Sequence, residues 1–195
     1  FNNSTLFQGN YIGTNAAGTA AIGNNIGIAM SGSPVCGTLG NCIIGGTNSG
    51  ARNIISGNTN TGIQVLAGAS NWQIINNYIG TNAAGTAAVG NGFYGVQVNG
   101  GSTIQIGDGT GSNYNVISGN SQHGILVNGS TTGLTISSNY IGTNAAGTAA
   151  VANLKSGISL NTAGGPVVTV GTATASAPTN VISGNGEWGI EMLGT

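Results

Sequence analysis

An eleven-residue sequence, YIGTNAAGTAA, occurs three times without a change, at 11–21, 78–88 and 140–150. Identical copies separated by 67 and 62 residues indicate an internal repeat, which must be understood before any single residue is interpreted. The stretches between and after the copies carry a related motif, ISGN, at 55–58, 117–120 and 182–185. The chain therefore contains six related units in which two forms alternate.

The six units divide the chain into long and short coils. Each coil begins near an Asn: Asn10, Asn53, Asn77, Asn115, Asn139 and Asn180. The steps between these residues are 43, 24, 38, 24 and 41 residues. Each unit holds three short apolar segments, and the second of them, GIQV at 62–65 for example, alternates apolar with small or polar residues. An alternation of period two indicates β-strands with one buried face.

A short unit with three strands and turns rich in Gly, Asn and Ser predicts one coil of a parallel β-helix. A leucine-rich repeat would require a leucine-spaced consensus, which the chain lacks. We therefore expect an all-β, right-handed parallel β-helix of about six coils, forming a single domain over 1–195. An Ile recurs in the first segment of every coil and is expected to face the core: Ile12, Ile55, Ile79, Ile117, Ile141 and Ile182.

A second set of residues, all Asn, closes the first segment where the chain must turn. Asn tolerates left-handed backbone conformations, and stacked side-chain amides can bond along the axis of the coils. The sequence therefore predicts a ladder for turn formation, not for ligand binding, that consists of Asn15, Asn58, Asn82, Asn120, Asn144 and Asn185.

The only cysteines, Cys36 and Cys42, are six residues apart and flanked by Gly. This spacing favours a disulfide and hence an oxidising compartment; the alternative is a reduced pair with one cysteine in the core. A metal site would need further ligands, and the single His123 lies far away in the sequence. We expect no metal and no cofactor.

The sequence NYIGTNAAGTAAVGN, followed by GVQV, TIQIG and NVISGN, resembles large bacterial secreted proteins built from right-handed parallel β-helix repeats. The resemblance covers nearly the whole chain. It implies the right-handed coil, an extracellular or cell-surface location in a bacterium, and an adhesive or fibrous structural role without catalytic residues. That family often has an acidic residue after IGT, where this chain has Asn, so we expect no cation site there.

The chain has five charged residues, Arg52, Asp108, Lys155, Glu187 and Glu191, and a formal net charge of −1. This charge provides no basic surface for nucleic acid, and no apolar run is long enough to insert in a membrane. Glycoside hydrolysis needs two carboxylates about 5 to 10 Å apart. Glu187 and Glu191 share one coil but are predicted to be solvated beside a turn, so an enzyme is only the third hypothesis.

A binding module for glycan or ice is the second hypothesis. Ice-binding faces use ranks of Thr, and two such ranks recur here in every second coil. The first rank is Thr14, Thr81 and Thr143, and the second is Thr19, Thr86 and Thr148. His123 is expected on the surface, the Gly-rich IGDGTGSN segment is expected to form a turn, and the two Trp residues are expected in the core or at its rim. The Asn-x-Ser/Thr matches at Asn2, Asn3 and Asn128 leave glycosylation open.

The first and last segments predict self-association. Residues 1–9 read as a third segment, and residues 180–195 read as a first and a second segment. Together they have the length of one coil, so copies are expected to join head to tail as a filament; the alternative is a piece of a longer β-helix. The predicted interface consists of Phe1, Leu6, Phe7, Trp188, Ile190, Met192 and Leu193.

Overall fold

The computed structural model describes residues 4–31, 36–110, 113–161, 167–172 and 180–193. Phe1, Asn2 and Asn3 lie outside the described residues. The described residues form short strands and contain no helix. The strands are β1 (Thr5–Phe7), β2 (Tyr11–Ile12), β3 (Ile28–Met30), β4 (Cys42–Gly45), β5 (Ile54–Ile55), β6 (Ile63–Val65), β7 (Trp72–Ile75), β8 (Tyr78–Ile79), β9 (Val96–Val98), β10 (Gln105–Ile106), β11 (Asn115–Ile117), β12 (Ile125–Asn128), β13 (Leu134–Ile136), β14 (Asn139–Ile141), β15 (Ile158–Asn161), β16 (Val168–Val170), β17 (Asn180–Ile182) and β18 (Ile190–Leu193).

The strands form three parallel sheets, and every third strand of the chain belongs to the same sheet. The orders are β2-β5-β8-β11-β14-β17, β3-β6-β9-β12-β15-β18 and β1-β4-β7-β10-β13-β16. We call these the first, second and third sheets, after the three segments of each coil. The chain is thus a parallel β-solenoid of about five turns, which confirms the predicted fold class. Among the described residues there is no helix that is long and apolar enough to cross a membrane.

Register is the same from coil to coil. In the second sheet, for example, Ile63 pairs with Val96 and Val65 with Val98. Equivalent residues therefore stack in columns parallel to the solenoid axis, because a slip by one residue would turn every apolar side chain to the opposite face. Neighbouring coils consequently carry the same or a similar side chain at each equivalent position.

The predicted Ile column lies in the core. Ile55, Ile79, Ile117 and Ile141 are fully buried. Ile12 and Ile182 are partly buried and pack against the same cluster, because each has a neighbouring coil on one side only. Burial of an Ile side chain contributes roughly 1.5 to 3 kcal/mol, so this column is a main source of the solenoid's stability.

Cys36 and Cys42 form a disulfide with a Cα–Cα distance of 5.7 Å, as the spacing predicted. Both are buried in the same apolar cluster as Trp72. The Trp72 ring stacks on Phe7, with 6.0 Å between the ring centroids. The disulfide therefore crosslinks the interior of the coil; the oxidising compartment that it implies remains a prediction.

The Asn residues that begin the coils form a continuous ladder that the sequence interpretation missed. Its members are Asn10, Asn53, Asn77, Asn115, Asn139 and Asn180, each donating through its side-chain amide to Oδ1 of the next. Asn115 shows the full pattern: Oδ1 accepts from the backbone N–H of Asn77 at 2.9 Å, and Nδ2 donates to the carbonyl of Ile74 at 2.7 Å. The buried amides of this ladder satisfy the backbone N–H and carbonyl groups at the corner of each coil, which apolar side chains could not do.

The predicted Asn ladder is half wrong. Asn58, Asn120 and Asn185 do belong to a second ladder, but their neighbours in it are Asn24, Asn91 and Asn153. Asn15, Asn82 and Asn144 lie outside it, because nine residues are inserted after Gly13, Gly80 and Gly142 before the ladder position is reached. The backbone N–H of Val89 bonds the carbonyl of Gly80 at 2.9 Å, which closes this insertion at its base.

Candidate functional site

The first eight residues of each insertion, at 14–21, 81–88 and 143–150, form three small hairpins that we call the hairpin row. In the second hairpin Thr81 pairs antiparallel with Ala88. The side chain of Asn82 accepts hydrogen bonds from the backbone N–H of Thr86 at 2.9 Å and of Ala87 at 3.3 Å. Asn15 and Asn144 make the same contacts in their own hairpins. These three Asn residues therefore stabilise a protruding loop instead of the stack of coils.

The hairpins contact one another directly, although a short coil lies between each pair. The N–H of Ala83 donates to the carbonyl of Gly18 at 2.9 Å, and the N–H of Ala145 donates to the carbonyl of Gly85 at 2.8 Å. The three hairpins therefore form a continuous row down one side of the solenoid. The two bonds make the row an extra ladder outside the three sheets.

Beneath the hairpin row lies a second, smaller apolar cluster. The outward side chains Ile54, Tyr78 and Val116 of the first sheet are buried there, with Ala83 and Ala145 of the hairpins packed against them. The residue beside the ladder Asn covers the Tyr ring of the next coil: the guanidinium of Arg52 lies 4.1 Å from the Tyr78 ring centroid, and Tyr114 stacks on Tyr140 at 4.2 Å. The outward position of the first strand is Tyr78 or Tyr140 in the long coils and Ile54 or Val116 in the short coils. Packing under the hairpins explains this alternation.

The first Thr rank does not form the flat exposed face that ice binding would need. Thr81 and Thr143 are buried, and their hydroxyls bond the carbonyls of Asn82 and Asn144. In the second rank Thr86 and Thr148 are exposed, with each hydroxyl close to the Asn side chain of its own hairpin. The two-rank ice-binding face is therefore wrong for Thr81 and Thr143.

The charged residues are engaged in local contacts. Lys155 forms an ion pair with Glu187, and Glu191 accepts a hydrogen bond from the hydroxyl of Ser156 at 3.2 Å. Asp108 accepts from Thr110 and Asn113 within its Gly-rich loop, as expected for a turn. Partial burial raises the pKa of Asp108, but these hydrogen bonds outweigh burial and leave the pKa below its usual value. No group of three or more His, Cys, Asp and Glu residues that could hold a metal occurs among the described residues.

His123 is half-buried, so the expectation of a surface His holds only in part. Its ring stacks on Tyr94, with 5.9 Å between the centroids. Burial lowers the pKa of His123, and the charges of Glu191 and Glu187 on a later coil oppose this effect only in part. The stacking of coils brings these groups together, whereas none of them is a neighbour of His123 in the sequence.

We expect acidification to destabilise the protein through His123. Because its pKa is lower in the folded state, the unfolded chain takes up the proton first, and stability falls as pH drops below about 6.5. The loss stops growing below the folded pKa. Urea unfolding between pH 7.5 and pH 5 measures the slope, which His123→Phe should flatten while keeping a ring against Tyr94. An unchanged slope in this variant would contradict the assignment, since the chain has only one His.

Exposed apolar side chains occur at both end faces of the described solenoid as well as on its sides. At one face Trp188, Ile190, Met192 and Leu193 are exposed, and at the other Leu6 and Tyr11 are exposed. Phe7, also predicted at the interface, is partly buried against Trp72. Phe1, the remaining predicted member, lies outside the described residues. Both faces also present edge strands whose backbone groups can pair with a further strand.

Comparison with known proteins gives no relative. No protein-family model, no curated protein and no solved structure matches the chain. The features of the molecule that bear on function are the end faces, the hairpin row and the few charged side chains.

Proposed function

We propose that the chain is a structural extracellular protein, a β-helical subunit of a filament or surface adhesin, whose end faces bind further copies head to tail. The observation that carries the proposal is that both end faces present edge strands and exposed apolar side chains. A head-to-tail contact uses two different surfaces of the same molecule, does not close on itself, and produces a filament. The alternation of coils supports the order, because the Asn180 coil is short and the Asn10 coil is long.

The polar ladders support the proposal because each ends in a hydrogen-bond acceptor at one end face and a hydrogen-bond donor at the other. Within the ladder each Asn amide donates to Oδ1 of the next coil, which leaves Asn10 Oδ1 as the acceptor at the first face. The amide of Asn180 occupies the donor position at the last face. The hairpin row would continue in the same way. Between the first two hairpins the N–H of Ala83 donates to the carbonyl of Gly18, and across the junction the N–H of Ala16 of the next copy would donate to the carbonyl of Gly147. A second copy in the same register would continue both ladders.

The apolar columns support the same register. Met192 continues the column of Val127 and Leu160 and is 76% exposed, whereas Met30 at the opposite end of that column is 3% exposed. A cavity of about 240 Å³ beside Met30 is lined by Phe7 and Trp72. Stacking of copies would place Met192 over Met30 and cover this opening, because the second sheet would continue from β18 to β3 of the next copy.

The extracellular setting is supported by two features. The Cys36–Cys42 disulfide is typical of proteins that fold in an oxidising environment. The resemblance of the repeated motifs to bacterial secreted β-helix proteins points to the same setting. Further copies of the chain and glycans of that surface are the proposed partners, and no cofactor is invoked.

Met192→Lys is expected to weaken head-to-tail association by at least about 100-fold, since it would bury an unpaired charge in an apolar column. Analytical ultracentrifugation over a concentration series measures the association. Leu154→Lys is the matched control, because Leu154 is 64% exposed on the side of the solenoid and should leave assembly unchanged. The proposal fails if the unmodified protein stays monomeric at millimolar concentration, or if both variants assemble as it does.

A further inference from the structure

A groove beside the hairpin row forms a cavity with a volume of about 620 Å³. Its floor is the outward side of the first sheet at Tyr11 and Ile54. One wall is the loop 47–50 before the Asn53 coil, and the opposite wall is Ala83 of the second hairpin. Arg52 and Asn76 line this groove and also the adjoining cavity of about 150 Å³ over Tyr78.

The guanidinium of Arg52 is held in place before any ligand arrives. Its Nε and Nη2 donate to Oδ1 of Asn76 at 3.2 and 2.7 Å. Asn76 is itself fixed, since its Nδ2 donates to the carbonyl of Gly46 at 2.9 Å. The face of the guanidinium lies 4.1 Å from the centroid of the Tyr78 ring. A guanidinium fixed on both its edge and its face loses little conformational entropy on binding an anion.

Arg52 also carries a charge that the described part of the chain does not neutralise. Of the three acidic residues, Glu187 pairs with Lys155, Glu191 accepts from Ser156, and Asp108 is bound within its own loop. The ion pairs among the described residues do not include Arg52. Because its side chain is exposed at the groove, the remaining N–H donors can reach a ligand.

We propose that this groove binds an acidic polysaccharide through a uronic acid unit, with the carboxylate on Arg52. A guanidinium recognises a carboxylate with two parallel hydrogen bonds. The Tyr11 ring, 47% exposed, offers a face to the apolar side of a sugar ring. The amides and hydroxyls of Thr47, Asn48 and Ser49 line the rim where sugar hydroxyls would bond. Nucleic acid fits poorly, because it requires several cations and the groove has one.

The site would let a rod bind an anionic glycan along its side while its ends bind further copies. It does not depend on head-to-tail assembly, because all of its lining residues belong to one copy. A failure of assembly and a failure of glycan binding are therefore separate results. To keep them separate in practice, binding is measured both on the unmodified protein and on Met192→Lys.

Calorimetric titration with a galacturonate tetramer and with a glucuronate tetramer tests the proposal. We expect binding of at least one of the two, and Arg52→Gln should weaken it by roughly 10- to 100-fold, the value of a charged hydrogen-bonded contact. Arg52→Lys should give an intermediate affinity, because it keeps the charge but loses the planar fork. Lys155→Gln, which removes the other cation, is the control and should change affinity by less than about twofold.

The matched ligand control is the methyl ester of the same tetramer, which keeps every hydroxyl and loses the charge. We expect the ester to bind at least about tenfold more weakly. The proposal is overturned if neither acid tetramer binds at millimolar concentration, if ester and acid bind equally, or if Arg52→Gln retains full affinity with an unchanged unfolding curve. If Arg52→Gln fails to fold, Arg52→Lys and Tyr11→Leu provide the same comparison.

Discussion

Gly45→Ala is expected to lower the free energy of unfolding by about 4 kcal/mol or more. Gly45, the last residue of β4, has a φ of +94°. A Cβ added there would overlap the carbonyl oxygen of Ile75 on the next coil and approach the side chain of Asn77 within 2.8 Å. The backbone cannot move aside, because the same Ile75 carbonyl accepts a hydrogen bond from Gly46.

Gly50→Ala separates this overlap from simple backbone strain. Gly50 has a similar φ of +83°, but a Cβ there would meet nothing within 4 Å. It should therefore lose only about 1 to 2 kcal/mol, the penalty for a left-handed Ala. Urea unfolding of both variants gives the comparison. Equal losses would show that coil spacing at Gly45 is not as tight as the structure describes.

Asn115→Ala is expected to lower the free energy of unfolding by roughly 3 to 5 kcal/mol. Asn115 is buried and lies in the middle of the first Asn ladder. Its removal takes the acceptor from the backbone N–H of Asn77 and one donor from Oδ1 of Asn139. The carbonyl of Ile74 also loses a donor but keeps its hydrogen bond from the backbone N–H of Gly107. Each buried polar group left unsatisfied costs about 1 to 3 kcal/mol, so the effect exceeds that of a single hydrogen bond.

Asn82→Ala is the matched control, because Asn82 belongs to a hairpin and not to a ladder. It should cost about 1 kcal/mol, since its contacts to Thr86 and Ala87 are exposed to solvent. Chemical denaturation of the two variants measures the difference. If Asn82→Ala were as destabilising as Asn115→Ala, the hairpin would carry the stack and the assignment of the ladders would be wrong.

The sequence predicted the fold because each coil repeats the same local pattern. The Ile of the first segment and the alternating second segment specify which faces are buried, and register follows when neighbouring coils bury the same face. The Cys36–Cys42 disulfide was predictable because only two cysteines are present and they are close in sequence. These inferences all rest on short-range patterns.

The Asn ladders were misassigned because the hairpins interrupt the repeat. The repeated IGT sequence is followed directly by Asn15, Asn82 and Asn144. The ladder position comes only after the insertion, at Asn24, Asn91 and Asn153. A Gly-Asn pair precedes the second segment in five of the six coils, and Ala-Asn in the remaining one. The position of this dipeptide before the second segment was the sequence pattern that could have identified the members of the second ladder.

The contacts of His123 and Arg52 could not be predicted from local sequence, since both depend on which residues stack above and below. His123 meets Tyr94 on the preceding coil, and Arg52 meets Tyr78 on the following one. Such pairs become visible only when the register of the coils is known. The groove beside Arg52 likewise requires the hairpin of a different coil as a wall.

Disulfide trapping between copies tests head-to-tail stacking most directly. If β1 of one copy continues the third sheet after β16 of another, Leu6 pairs with Thr169 in the register that already joins Leu6 to Ile43 and Thr135 to Thr169. Paired residues on adjacent strands lie about 5 Å apart, within reach of a disulfide. The double variant Leu6→Cys, Thr169→Cys should form a ladder of covalent multimers that reducing agent dissolves. Monomers only, or equal crosslinking when Thr169→Cys is replaced by Thr148→Cys on the hairpin row, would contradict the account.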